Sequence, residues 1–333
     1  MKKVALFLMV GLLLLSACKS DDDDNDTGLL AYCTILNGLS IVDVTDPERP
    51  IQATFLDLGD SGTGLALSGR YVYYLCYNQA LLKVIDIEDY ENPVLVGSCD
   101  LPEPGVEIVV SESGYYAYVA CNNLGLQVID VSVPAAPSIV GSEITGGYAN
   151  GILVDGDLVY LADADSGLYI IDVSEPHSPE VLSSCLRGSL VNSVTKHDDL
   201  IWLSTTSFNM DCYGGIHSVD VSDPSAPEVL DYEQYPICVD VFHCDGSLYL
   251  ISWGTTLETK GIYILSATEE LYHYAEYRGW GLSAYQIVVR NDIAYIATTN
   301  GLTILNVSNP EAIAELSTIA LNNGARDVVL GRR

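Results

Sequence analysis

The sequence predicts an all-β protein: a seven-bladed β-propeller of four-stranded antiparallel blades, closed by the C-terminal strand joining the N-terminal blade. Three observations lead there. A short phrase recurs seven times at spacings of 40 to 48 residues, a period that suits one propeller blade. Each period holds four strand-like segments rich in branched and aromatic residues, separated by Gly, Pro, Asp and Ser. The two ends of the repeating region carry complementary half-units.

The chain opens with Met1-Lys2-Lys3 and an apolar run of 12 residues from Val4 to Leu15. A bilayer crossing takes about 20 residues, whereas two lysines before a short apolar core make a secretory signal peptide. The run ends in Leu15-Ser16-Ala17-Cys18, which resembles the lipobox of bacterial lipoproteins. That resemblance implies a leader of residues 1–17 and an acylated Cys18. Acyl chains contribute about 0.8 kcal/mol per buried methylene, so several on Cys18 would hold the protein to outer-membrane lipid. Residues 18–28 continue as a lipidated acidic tether, because Asp21-Asp22-Asp23-Asp24-Asn25-Asp26 cannot bury apolar surface. Ser20 and this acidic run also resemble the export signal of surface-displayed Gram-negative lipoproteins. The expected location is therefore the outer face of an outer membrane.

Residues 29–333 are the propeller. The phrase reads Gly38-Leu-Ser-Ile-Val-Asp43, Leu81-Leu-Lys-Val-Ile-Asp86, Gly125-Leu-Gln-Val-Ile-Asp130, Gly167-Leu-Tyr-Ile-Ile-Asp172 and Gly215-Ile-His-Ser-Val-Asp220. Two worn copies follow, Gly261-Ile-Tyr-Ile-Leu-Ser266 and Gly301-Leu-Thr-Ile-Leu-Asn306. In the fourth unit, strands are expected over 150–154, 158–162, 167–173 and 180–184, with the phrase on the third. The first unit starts at Leu29-Leu-Ala-Tyr-Cys33, a second-strand sequence with no first strand before it. The chain finishes at Ala325-Arg-Asp-Val-Val-Leu330, a first-strand sequence. Joined, they make one blade and remove the open sheet edge that invites association, so a monomeric propeller is expected.

The phrase Leu-x-Ile-x-Asp-Val-Ser-x-Pro, with Val-Gly-Ser in the following strand (Val96-Gly97-Ser98, Val140-Gly141-Ser142), resembles the LVIVD repeat of bacterial and archaeal surface proteins. The resemblance runs from about residue 29 to the end and implies a surface propeller with no common catalytic activity. Copies six and seven depart from it at Ser266 and Asn306.

The formal net charge is −31, which repels phosphate backbones and argues against nucleic acid as a partner. The nine cysteines form no Cys-x-x-Cys pair, so a ribbon-type zinc site is not supported. The repeated Asp43, Asp86, Asp130, Asp172 and Asp220 each precede a turn, where Asp accepts hydrogen bonds from turn amides; they read as scaffold. Gly59-Asp60-Ser61-Gly62 looks like a protease nucleophile segment, but no base accompanies it, and it reads as a loop. The five histidines show no ligand spacing.

Two candidate sites remain. Aligned first strands carry Gly64, Glu107, Gly151, Ser193, Asp240, Gln286 and Asp327 at one position, followed by an aliphatic ring from Leu65 to Val328. If the first strand is innermost, the polar ring lies at the mouth of the central channel. There Glu107, Asp240 and Asp327 are candidate oxygen ligands for Ca²⁺ or Mg²⁺. The second candidate is the enlarged connections of units five and six, over 205–214 and 253–260, with the neighbouring aromatic loops. Phe208, Tyr213, Tyr235, Trp253, Trp280 and Tyr285 would there contact a glycan, a peptide or an envelope protein, since binding residues gather on loops held by a rigid scaffold. Trp202 takes a second-strand position and reads as core. The sequence contains no catalytic constellation, so a non-catalytic binding module is expected. The competing expectation is a metal-dependent hydrolase or lyase using the channel-mouth acids.

Overall fold

Leu158–Asp163 and Gly167–Asp172 of the fourth unit are almost wholly apolar and almost wholly buried. Strands buried on both faces need such continuous runs instead of the alternation seen where one face meets water. The computed structural model of the chain describes residues 28–206, 213–254, 260–278 and 283–333. Among them, 28 strands form seven four-stranded antiparallel sheets. We number these as blades 1 to 7. Blade 1 combines Leu29–Ile35, Gly38–Asp43 and Ile51–Asp57 with the C-terminal Val328–Arg332. Blades 2 to 7 span 62–100, 107–143, 149–185, 190–236, 238–278 and 284–320. No helix among the described residues is long and apolar enough to cross a membrane.

The ring closes as expected. Val328–Arg332 pairs antiparallel with Leu29–Ile35, placing Val328 opposite Cys33 and Gly331 opposite Leu30. The core is divided into seven clusters, each shared by two adjacent blades. In each blade the first strand is innermost and the fourth is the exposed outer edge; Glu180–Cys185, for instance, has no fully buried residue. The aliphatic position of the first strand is buried in every blade, from Leu65 round to Val328. Trp202 is fully buried, as its strand position predicts.

The repeated phrase has two structural uses. At the end of each third strand, the Asp Oδ1 accepts the backbone N–H two residues on, at 2.8–3.0 Å for Asp43, Asp86, Asp130, Asp172 and Asp220. Asn306 makes the same bond to Ser308 at 2.9 Å, and in blade 6 the Ser266 hydroxyl accepts the Tyr272 N–H at 2.8 Å. The following turn then docks on the previous blade. A Cβ on Gly97 would stand 2.1 Å from the Pro134 carbonyl oxygen, and one on Gly141 2.2 Å from that of Pro176. Where the equivalent residue is serine, its hydroxyl donates to that carbonyl instead: Ser183 to Pro224 at 2.5 Å, and Ser317 to Pro47 at 2.6 Å. The Gly of Val-Gly-Ser and the Pro of Ser-x-Pro are thus two halves of one inter-blade latch. Gly59, Asp60 and Ser61 form a loop between blades 1 and 2 that ends at Gly62, the first residue of blade 2; it is gathered by Asp60, which accepts bonds from Ser61, Asn78 and Gln79.

Candidate functional site at the channel mouth

Regular pairing breaks once near the start of the inner strands. In blade 4 the register passes from Ala149 opposite Asp163 to Gly151 opposite Ala162, leaving Asn150 as an extra residue. The same break isolates Asn192, Val239 and Tyr285 in blades 5, 6 and 7, and in blade 2 it leaves Thr63 and Gly64 opposite a single residue. A β-bulge of this kind re-aims a side chain that alternation would send elsewhere. As a result two consecutive positions of the inner strands face the channel. The first of them, Thr63, Val106, Asn150, Asn192, Val239, Tyr285 and Arg326, lines one cavity of about 300 Å³ at the mouth. The second adds Glu107, Ser193, Asp240, Gln286 and Asp327, and Trp253 completes the wall.

The second position also stitches the ring. Asp327 Oδ2 accepts the Leu65 N–H at 2.6 Å, Glu107 Oε2 accepts that of Ile152 at 2.9 Å, Asp240 Oδ2 that of Ile287 at 3.0 Å, and Gln286 Oε1 that of Val328 at 2.6 Å. Each side chain reaches the backbone amide of the aliphatic residue on the next blade, a donor that would otherwise stay unpaired in the interior. Ser193 donates its hydroxyl to Asp240 Oδ1 at 2.7 Å. Blades 2 and 4 have glycine at this position because the neighbouring backbone fills the space. A Cβ on Gly64 would lie 2.8 Å from the Val106 oxygen, and one on Gly151 2.6 Å from that of Asn192.

Charge in the cavity is unbalanced. Burial lifts the Glu107 carboxyl well above the ordinary range, and the charges of Asp240 and Asp327 add to the shift. Burial also raises Asp240, against the Ser193 hydroxyl and the Ile287 amide. Asp327 is pushed up to about 7, chiefly by burial and against the amides of Leu65 and Val328. Asp327 is 4 % exposed, and its Oδ1 makes no hydrogen bond of ordinary geometry. Among the described residues none of the three acids has a salt-bridge partner. Arg326 is the cation of the cavity; its guanidinium lies 5.9 Å from the centre of the Tyr285 ring and pairs with no carboxylate among those residues. Tyr285 meets Trp253 edge-on, with ring centres 5.5 Å apart, and the Trp253 indole donates to the Ala284 carbonyl.

The two sites expected from the sequence are therefore partly one, since Trp253 and Tyr285 stand in the same cavity wall as Glu107, Asp240 and Asp327. Two expectations need correction. Tyr235 is only 7 % exposed and packs with Trp202 and Tyr263 in the core between blades 5 and 6. Glu107, Asp240 and Asp327 do not gather into a metal site: no group of three His, Cys, Asp or Glu able to hold an ion exists among the described residues. Each acid is held at its own blade by the next blade's amide. Tyr213 pairs through its backbone with Pro236. Cys18, Phe208 and Trp280 lie outside the described residues. The rings of His197 and His243 stack 4.6 Å apart.

The comparisons with known proteins agree with the repeat and the fold. Residues 60–101, 107–145, 146–187 and 282–320 match the family model described as the LVIVD repeat. They coincide with blades 2, 3, 4 and 7, so the seventh copy, worn at Asn306, still fits the family. No curated protein matches the chain. Among solved structures, a candidate 6-phosphogluconolactonase from Bacteroides fragilis is 10 % identical, with a TM-score of 0.77 over 93 % of this chain and all of the other. The periplasmic gluconolactonase of Pseudomonas aeruginosa is also 10 % identical, with a TM-score of 0.75 over 91 % and 98 %. BamB from Moraxella catarrhalis is 14 % identical, with a TM-score of 0.59 over 90 % and 92 %. At such identities the likeness is one of fold.

Proposed function

Starting from a chain that is a seven-bladed propeller of LVIVD repeats, we propose that it is an exported, lipid-anchored binding module whose ligand seats at the mouth of the central channel. One observation carries this reading: Trp253 and Tyr285 share a cavity of about 300 Å³ with the amides of Asn150, Asn192 and Gln286 and with charged groups of both signs. Ligand pockets start at about that size and combine apolar faces with a few placed polar groups. Glycans and peptides, including exposed segments of envelope proteins, suit such a wall. The anchor is Cys18, which would present the propeller at the outer-membrane surface on its acidic tether.

The test is a glycan and peptide array read with the wild type and with Tyr285→Ser. The expected result is a ligand retained by the first and lost by the second, with the melting temperature kept within about 1 °C; equal capture by both would place the site elsewhere. Labelling with a radioactive fatty acid tests the anchor: wild type takes up label and Cys18→Ala does not.

Catalysis at the same mouth is the second reading. It is favoured by Asp327, whose carboxyl titrates near neutrality, where acid–base groups work best. The metal-dependent form loses its support with the separation of the three acids. The gluconolactonase names among the fold neighbours make sugar lactones the first substrates to assay, and Asp327→Asn should abolish any turnover that belongs to this site.

A further inference from the structure

We propose that the channel mouth recognises organic ammonium groups on an aliphatic stem, each nitrogen at one of the acids Glu107, Asp240 and Asp327 and the stem against Trp253 and Tyr285. The inference rests on the reading of the mouth as a binding site and names the chemistry it selects.

Three observations converge. First, three carboxyls line one cavity without a cationic partner among the described residues, and buried charge is costly until it is paired. Their backbone bonds leave capacity to spare: Glu107 accepts one inter-blade amide, and a carboxylate offers about four acceptor sites. Second, Asp327 lines the cavity, is 4 % exposed, gives Oδ2 to the Leu65 amide, and its Oδ1 makes no hydrogen bond of ordinary geometry. Third, the acids stand on blades 1, 3 and 6 and do not form a three-ligand group. A single metal ion, which needs its oxygens within about 2.6 Å, cannot serve all three, and neither can a single ammonium nitrogen, whose contacts with carboxylate oxygens run to about 2.9 Å. An ammonium group carries three donors directed outward, and a chain bearing more than one such group reaches more than one acid. The aromatic pair adds attraction for a cation and an apolar face for methylenes. Arg326, held over Tyr285, marks the rim where a carboxylate or another acceptor on the same ligand would find its partner.

A free polyamine and a lysine side chain share this chemistry, and titration calorimetry separates them. Spermidine, an N- and C-blocked lysine tripeptide and its acetyl-lysine counterpart are titrated into the full chain at 150 mM NaCl, with 1,4-butanediol, glucose and CaCl₂ as controls. The expected result is binding of spermidine, the lysine peptide or both, and none of the acetylated peptide or the diol. Glu107→Gln and Asp240→Asn, which keep the acceptor oxygen for the next blade's amide, should weaken it at least tenfold. The outer-surface control Glu91→Gln should change it less than twofold. A measurement on the wild type alone stands beside these: affinity should fall at least tenfold from pH 8 to pH 5, the range through which the Asp327 carboxyl, pushed up to about 7, takes up its proton. Calcium binding as strong as spermidine, an effect of Glu91→Gln equal to that of Glu107→Gln, or a flat pH profile would overturn the proposal. Capture of glucose or another neutral sugar without the amines would also overturn it, while leaving the mouth as the binding site intact.

Discussion

The third-strand turn and the channel-facing position at the start of the first strand recur around the ring, yet their residues behave in opposite ways. At the turn, one hydrogen bond is made six times at nearly one length, by five aspartates and Asn306. At the channel-facing position stand Thr63, Val106, Asn150, Asn192, Val239, Tyr285 and Arg326, five of them at a bulge. The backbone conserves the geometry in both regions, but only the turn conserves the side chain. A turn residue is needed by its own blade and, through the latch, by the neighbour. A channel-facing residue borders an open cavity, and its contacts differ from blade to blade: Asn192 donates to the Cys238 carbonyl, Thr63 to that of Gly105, and Tyr285 packs on Trp253. Repetition marks what holds the ring together, and variation on a fixed backbone marks what the ring is free to use.

The comparison breaks most visibly at the latch. Gly97→Val would drive a side chain into the Pro134 carbonyl and should cost about 3 kcal/mol, measured by urea unfolding; a loss under 1 kcal/mol would mean that adjacent blades do not bear on each other there. The ring acids should show an opposite sign. The Asp327 carboxyl is raised from 3.8 to about 7 in the folded protein, so the fold holds that proton more tightly than the unfolded chain does. Its stabilisation is full below about pH 4 and is lost as pH rises toward 7. Asp327→Asn keeps an acceptor for Leu65 and removes the unpaired charge, so it should stabilise by about 2 kcal/mol at pH 8 and by little at pH 4. Thermal unfolding at the two pH values checks this, and destabilisation at pH 8 would show that the charge is compensated.

At the turn the effect is smaller. Asp172→Ala removes the bond to Ser174 and should cost about 1 kcal/mol, whereas Asp172→Asn should cost almost nothing, since Asn306 already does the same work. Hydrogen bonds to Ser174 hold the Asp172 carboxyl below its usual value; its contribution is therefore present at neutral pH and fades as the solution is acidified through that lowered pKa. The smallest effect belongs to the bulge: Asn150→Ser should change stability by less than about 0.5 kcal/mol while altering ligand affinity.

How far the sequence could be read follows the same division. The blade count, the closure of Val328–Arg332 on Leu29–Ile35 and the turn role of Asp172 were legible because each feature recurs or complements another in the chain. The aliphatic ring from Leu65 to Val328 was legible for that reason too, and it located the polar ring beside it. The bulge was not. A period of two assigns one inward residue, so Asn150, Asn192 and Thr63 fell on the wrong side of the strand until the pairing was seen. The meeting of Trp253 with Tyr285 joins different blades and leaves no local trace in the sequence. An aromatic beside Pro236 looks like a loop residue, while in space Tyr235 is a paired strand residue whose ring packs on Tyr263.

The measurement that bears most directly on the account is calorimetric titration of spermidine and the blocked lysine tripeptide into the wild type and Asp240→Asn, with the melting temperature of each protein recorded alongside. The account predicts saturable binding by the wild type, at least a tenfold loss in the variant, and a melting temperature that does not fall. Undiminished binding in a folded Asp240→Asn protein would contradict it.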